Sequence, residues 1–181
     1  MKPMSKVTIR AAQPLDLPKC LELDASFSTD YVWQMESRTQ EGQIALTFRS
    51  VRLPRSMQVA YPRNPKAMSA NWQTCDAMLV AEDGRGLVGF AAMSRRPVQA
   101  VAWLSDLIVS KAARREGVGS ALLAAVVRWG REQQLKWLIV EVQTKNYPAI
   151  SFCQKHGLAL CGFNDRHFTN QDIALFFAQA V

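Results

Sequence analysis

Four cysteines are spread over 181 residues, and none forms a CxxC pair. Cys20, Cys75, Cys153 and Cys161 therefore offer neither a redox dithiol nor half of a zinc ribbon, and a chain of this length needs no disulfide staples. Histidine is scarcer still. His156 and His167 stand at no metal-ligand spacing with a cysteine pair, so no metal site is expected. No apolar run approaches the length of a membrane helix. The opening "MKPMSKVTIRAAQP" has neither an apolar core nor a small-residue cleavage site. These absences predict a cytoplasmic protein with reduced thiols and no membrane partner. Acidic residues number 15 against 22 basic ones, a net charge of +7. That excess suits an anionic ligand, either nucleic acid or a phosphorylated small molecule, as well as plain solubility. With no RNP-like aromatic motif, no recognition-helix signature and no long basic tract, nucleic acid is not the expected partner. Internal repeats and low-complexity segments are also missing.

What is present is an ordinary globular mixture, 49% apolar and 20% charged, in a length that suits one domain over residues 1–181. "VTIRAA" reads as a first strand. "PLDLPKCLELDASF" carries helical spacing at Leu17, Leu21 and Phe27, with Pro18 near its start. "YVWQME" reads as a short helix or loop, "QIALTFRSVRL" as a strand, and the proline-rich stretch from Pro54 to Thr74 as a loop. "AMLVAE", "DGRG" and "LVGFAAMSR" form a hairpin signature around an Asp-Gly turn. "AVAWLSDLIV" is a further strand. A helix over 117–133 sets Val118, Leu122, Ala125, Val126 and Trp129 on one face. "WLIVEVQ" is apolar enough for a central strand. "YPAISFCQKH" reads as a helix, with Asn146 as its cap, Pro148 in its first turn and Gly157 ending it. "LALCGF" and "DIALFFAQA" are the last two strands. The order predicts an α/β fold with a mixed sheet, including at least one parallel pair.

The stretch "RREGVGSALL", Arg114 to Leu123, puts two glycines and two arginines at the start of that first long helix. A P-loop needs Lys-Ser/Thr after its last glycine, but Ser120 and Ala121 follow Gly119. A dinucleotide fingerprint needs a third glycine where Leu122 stands. The remaining reading is a short basic loop whose backbone amides, at a helix N-terminus, hold a pyrophosphate.

"RREGVG" resembles the Arg/Gln-x-x-Gly-x-Gly/Ala signature of the GNAT acetyltransferase superfamily, through Arg114, Gly117 and Gly119. "LSDLIVSKAARREGVGSALL" and "LIVEVQTKNYPAISFCQKHG" are similar to that family's two strand–helix blocks, and the likeness runs from about Asp76 to the end of the chain. The C-terminal part is similar to the streptothricin-type acetyltransferases. The resemblance implies a mostly antiparallel mixed sheet with a splayed parallel strand pair, flanking helices, and acetyl-CoA as the cofactor. It implies cofactor contacts from Leu107, Ile108 and Val109 on the splayed strand, with the Val109 amide as the candidate oxyanion donor. Further contacts come from the loop and helix start, Arg114, Arg115, Glu116, Gly117, Val118, Gly119 and Ser120, and from Asn146, Ala149 and Phe152 on the next helix. The implied reaction is transfer of an acetyl group to a primary amine of a small cationic acceptor, by direct attack in a ternary complex. Alternatives are a protein lysine or N-terminal acceptor, or a non-catalytic acyl-CoA sensor. Homodimerisation is implied by analogy with the fold.

The chain departs from the family where the usual acid stands. The tyrosine expected seven residues after the asparagine is replaced by Cys153, which serves equally as a weak acid or as a small buried hydrophobe. Tyr147 is a substitute on a different face. The candidate bases are Asp106 and Glu141, carboxylates inside otherwise apolar strands. Asp30, Glu36 and Asp165 are candidates for holding a cationic acceptor, and Tyr31, Trp33, Trp72 and Trp103 for an aromatic wall around it.

Overall fold

The computed structural model describes residues 7–181. Strand β1 is Thr8–Ala11, helix α1 Leu17–Glu22, β2 Phe27–Gln40, β3 Gln43–Val59, α2 Pro65–Thr74, β4 Ala77–Asp83 and β5 Gly86–Arg96. They are followed by β6 Val101–Val109, α3 Val118–Glu132, β7 Trp137–Gln143, α4 Tyr147–Lys155, β8 Ala159–Asn164 and β9 Ala174–Ala180. Seven strands form one sheet in the order β1-β4-β5-β6-β7-β9-β8, while β2 and β3 form a separate two-stranded ribbon. Among the described residues only β6 and β7 pair in parallel; the other pairs are antiparallel. This is the expected α/β mixed sheet.

Two apolar layers cover the sheet. Val118, Leu122 and Val126 of α3 and Ile150 and Cys153 of α4 pack on Leu138, Val140 and Val142 of β7. On the opposite face, Cys20 of α1 and Met68 and Trp72 of α2 pack on Val80, Phe90 and Ile108. The amphipathic spacing read from α3 holds: its buried face is Val118, Leu122, Leu123, Ala125, Val126 and Gly130.

Two sequence readings are corrected. "YVWQME" is neither helix nor loop but the middle of β2, which pairs with β3 along nearly its whole length. Much of β2 is exposed on both faces, so no sustained apolar alternation marks it, whereas the strand read over 43–53 holds as part of β3. The stretch read as a loop from Pro54 contains the end of β3 and all of α2. Asn64 and Pro65 are that helix's cap and first-turn proline: the Asn64 side chain accepts from the Ala67 N–H at 2.9 Å.

The sheet positions a site by coming apart. The β6–β7 pairing runs only from Val101↔Trp137 to Leu104↔Val140. A bulge then falls at Ser105, since Met93 pairs with Leu104 and Ala92 with Asp106. Beyond it β6 follows β5 and β7 follows β9, leaving a slot between them. The β5–β6 side can close only because residue 89 is glycine: a Cβ there would lie 2.7 Å from the Ile108 carbonyl oxygen.

Candidate active site

The slot is lined by Leu107 on β6, by Glu141, Val142 and Gln143 on β7, and by Asn146, Ala149, Phe152 and Cys153 at and along α4. Tyr61, Arg63 and Phe168 close its other end. Ser110 donates its N–H to the Val88 carbonyl at 2.8 Å, so Ser110 and Ile108 direct their backbone groups at β5. By strand alternation, Leu107 and Val109 direct theirs into the slot. The Val109 carbonyl accepts from Arg114 Nε at 3.0 Å, which leaves its N–H as the slot-facing donor.

At the slot's wide end, Gly117 is the N-cap of α3 with φ +86°, a left-handed conformation that a side chain would strain, and the space beside it is open. The first intrahelical bond runs from the Ala121 N–H to the Gly117 carbonyl, so the amides of Val118, Gly119 and Ser120 have no partner within the helix. The helix dipole adds positive potential there. Arg115 also has positive φ, +65°, which turns the chain into the cap. Arg114 braces this loop: besides Val109 it reaches the Asp24 carbonyl through Nη2 at 3.2 Å. Glu116 pairs with Arg85 at 2.5 Å on the surface. Ser120 Oγ meets His156 Nε2 at 3.0 Å, a partner that sequence spacing did not suggest. Asn146 caps α4 through Oδ1, which accepts from the Ala149 N–H at 3.1 Å.

The two strand carboxylates come together at the narrow end. Asp106 is 1% exposed and fully engaged. Oδ1 accepts from the Tyr61 hydroxyl at 2.6 Å and from Arg63 Nη1 at 3.1 Å, and Oδ2 accepts from Asn71 Nδ2 at 2.9 Å. Burial and the neighbouring Asp106 charge push the Tyr61 phenol well above its ordinary range, so it donates. Glu141 is ion-paired with Arg63 Nη2, accepts from Trp103 Nε1 at 2.7 Å and lies 2.9 Å from His167 Nε2. Arg63 therefore bridges both carboxylates, with one positive charge against two negative ones.

Sequence reasoning missed Tyr61, Arg63, Asn71 and His167. The first three all lie in the stretch read as a loop. His167 sits on the β8–β9 connection, 26 residues from Glu141. Burial, and then the positive charges of Arg63 and Arg96, hold the His167 imidazole below the usual histidine range. The unfolded chain thus binds this proton more readily than the folded one. Its contribution is complete above the ordinary histidine pKa of about 6.5 and declines as pH falls below it. Thermal unfolding of wild type against His167→Asn between pH 7.5 and 5 should show a shallower acid decline in the variant. Parallel curves would remove His167 from the acid response.

The remaining candidates are scattered. Cys153 is 1% exposed, and burial pushes its thiol up to about 12. Tyr147 stacks on Tyr31 with ring centroids 5.0 Å apart. Trp33 packs on Phe177, Trp72 on Phe90 in the core, and Trp103 on Phe176, so the four aromatic candidates form no single wall. Asp30 is bonded to the Ser56 hydroxyl and Glu36 to Arg49 at 2.7 Å, both within the β2–β3 ribbon. Asp165 lines an open trough with Met35 and Phe168, next to the slot. All four cysteines are free, and no group of histidine, cysteine or carboxylate residues suited to a metal occurs among the described residues. No helix among them is long and apolar enough to cross a membrane.

Comparison with known proteins agrees with this geometry. Residues 47–158 match the model of the acetyltransferase (GNAT) family. Streptothricin acetyltransferase of Streptomyces lavendulae is 28% identical over 166 residues, covering 88% of this chain and 85% of that protein. Streptothricin acetyltransferase A of Bacillus subtilis is 31% identical over 80 residues, 42% and 46% of the two chains. Among solved structures, a nourseothricin acetyltransferase superposes with a TM-score of 0.82 at 26% identity, covering 96% of this chain and 98% of that one. A Bacillus anthracis protein solved in complex with acetyl coenzyme A superposes with a TM-score of 0.75 at 21% identity, covering 97% and 100%, which speaks to the fold. With a splayed parallel pair, a glycine-opened helix start and a family match over more than half its length, the chain belongs to the GNAT acetyltransferase family, enzymes that draw the acetyl group from acetyl-CoA.

Proposed function

We propose that this enzyme N-acetylates a primary amine of a small cationic molecule of the streptothricin type, by direct attack within a ternary complex. The observation that carries the reading is the buried pair Asp106 and Glu141 at the narrow end of the slot, two carboxylates that share a single arginine. That excess negative charge attracts a cation to the place where the strands part. The streptothricin acetyltransferase relatives support the acceptor class.

The slot fits acetyl-CoA by its own chemistry: unpaired amides at the start of α3 for the pyrophosphate, and free backbone groups on one strand edge for the pantetheine arm. When bound, it supplies an acetyl thioester activated toward amines. In this reading Gly117, Val118, Gly119 and Ser120 hold phosphate, Arg114 and Arg115 shape the loop, and Glu116 stays at the surface with Arg85. Leu107 and Val109 pair with the arm, Ile108 anchors their strand to β5, and the Val109 N–H faces charge developing on the acetyl oxygen. Asn146, Ala149 and Phe152 form the opposite wall. Glu141 is the better base, because it lines the slot, whereas Asp106 is turned to Tyr61, Arg63 and Asn71 and serves to fix the first two. Placing amine and thioester side by side supplies much of the rate.

Cys153 is a packing residue in this account, since a buried thiol near pKa 12 is a poor acid. Cys153→Ala should keep kcat within about threefold between pH 6 and 9, whereas loss of a general acid costs roughly a hundredfold or more. A loss on that larger scale would return the acid role to Cys153.

The decisive assay follows thiol release from acetyl-CoA with streptothricin, with simple diamines, and with lysine-containing and free-N-terminal peptides. Turnover with the small cationic amines well above that with the peptides is expected. Preference for a peptide would move the assignment to a protein acceptor, and cofactor-dependent stabilisation with no turnover on any amine would make the chain a sensor.

A further inference from the structure

Gln143 lines the slot, is only 2% exposed, and its side-chain Oε1 has no hydrogen-bond partner. A buried amide oxygen left unpaired is costly, and native structures retain few of them. Here the orientation of the amide is fixed by chemistry. Gln143 Nε2 donates to Asp172 Oδ2 at 2.6 Å. Asp172 is itself buried, ion-paired with Lys145 and bonded by Asn170 Nδ2 at 2.9 Å. A carboxylate so paired only accepts, so it selects the NH2 side of the amide and leaves the oxygen as the free atom.

The position of that oxygen narrows what can pair with it. Gln143 is two residues from Glu141 on β7, so both side chains lie on one face of the strand. Val140 and Val142, which alternate with them, pack in the apolar layer with α3 and α4. The glutamine oxygen therefore shares the face of the carboxylate, away from the layer that carries the glycine loop. A neutral acceptor beside a carboxylate is suited to an ammonium group, which has three N–H donors and no acceptor.

We propose that the Gln143 carbonyl is a recognition group for the acceptor, taking an N–H from the substrate ammonium beside Glu141, with Asp172 as the positioning residue that aims it. This rests on the amine-acceptor reading above and adds the residue that selects for N–H at that site. A substrate hydroxyl gives one donor where the ammonium gives three, so the pair Glu141 and Gln143 distinguishes amine from alcohol.

The test compares wild type, Gln143→Met and Asp172→Asn in steady-state kinetics, varying streptothricin and acetyl-CoA separately, with acetyl-CoA-induced thermal stabilisation measured on each protein. Gln143→Met keeps the length of the side chain and removes its oxygen. Asp172→Asn offers an N–H that turns the glutamine amide around and presents NH2 to the substrate. Both should raise KM for the amine by roughly tenfold or more, the effect of losing a hydrogen bond to a charged group. KM for acetyl-CoA and the thermal shift it produces should stay at wild-type values. A rise confined to acetyl-CoA would assign the oxygen to a pantetheine amide and overturn the proposal. Unchanged constants in Gln143→Met, with wild type active, would overturn it while leaving the proposed function standing. A wild type that acetylates no amine overturns both, and is told apart because the inactivity is then in the parent enzyme.

Discussion

Gly117→Trp should fold and yet lose nearly all response to acetyl-CoA. The space beside Gly117 is open, so an indole there meets no protein atom near its Cβ, and the cost to the apo protein is that of a side chain at φ +86°, about 1–3 kcal/mol. The same indole covers the amides of Val118, Gly119 and Ser120, the donors proposed to hold the pyrophosphate. For the wild type, acetyl-CoA at a hundredfold its dissociation constant adds about 2.7 kcal/mol. In a chain of this size that is a rise in Tm on the order of 5–10 °C. The variant should show little of that rise and a kcat/KM for acetyl-CoA reduced by at least about a hundredfold, the equivalent of the lost 2.7 kcal/mol. Equal thermal shifts in the two proteins would mean that the phosphates bind elsewhere.

Removing the shared arginine should have the largest effect on stability. In Arg63→Met, Asp106 keeps the Tyr61 and Asn71 bonds but loses its counter-charge, and Glu141 keeps only the Trp103 and His167 contacts. Breaking a buried ion pair from one side costs about 3–5 kcal/mol, because an uncompensated charge stays behind. The expected fall in Tm is on the order of 10 °C. Adding Glu141→Gln to Arg63→Met should restore part of that loss, since the double variant no longer buries the second unpaired charge. A double variant as unstable as the sum of its singles would show that packing of the Arg63 stem, not charge, holds this end of the slot. Activity should be lost in the double variant, which no longer has the Glu141 carboxylate proposed as the base.

The glycine-opened start of α3 and the capped helix α4 were legible because their residues are local in sequence. Gly117 and Gly119 open a helix whose apolar face is visible in Val118, Leu122 and Val126, and the preceding strand ends a few residues earlier. Asn146, Pro148 and Gly157 likewise mark the ends of one short helix. Such features depend on backbone conformation and periodicity within some ten residues, and these are written directly in the chain. Strand β2 was illegible for the opposite reason. Exposed on both faces over most of its length, it carries no alternation for a reader to follow, and its pairing is decided by the turn near Gly42 and by contacts such as Trp33 with Phe177 and Phe48 with Phe163.

The carboxylate end of the slot lay beyond the sequence. Asp106 and Glu141 stood out as carboxylates in apolar strands, but nothing nearby said what held them. Their partners come from 45 residues upstream, at Tyr61, and 26 residues downstream, at His167. By itself the sequence determined the mixed α/β sheet, the glycine-opened helix start, the capped second helix and the two carboxylates as buried exceptions, because propensity, capping and hydrophobic period act along the chain. Only the tertiary structure decided that β6 leaves β7 after Leu104, that one arginine serves both carboxylates, and that Asp172 turns the Gln143 oxygen loose within a buried wall. Those outcomes depend on which strands lie side by side and which loops cover them, and groups far apart in the chain acquire their charge state and hydrogen bonds only when packing brings them within a few ångströms.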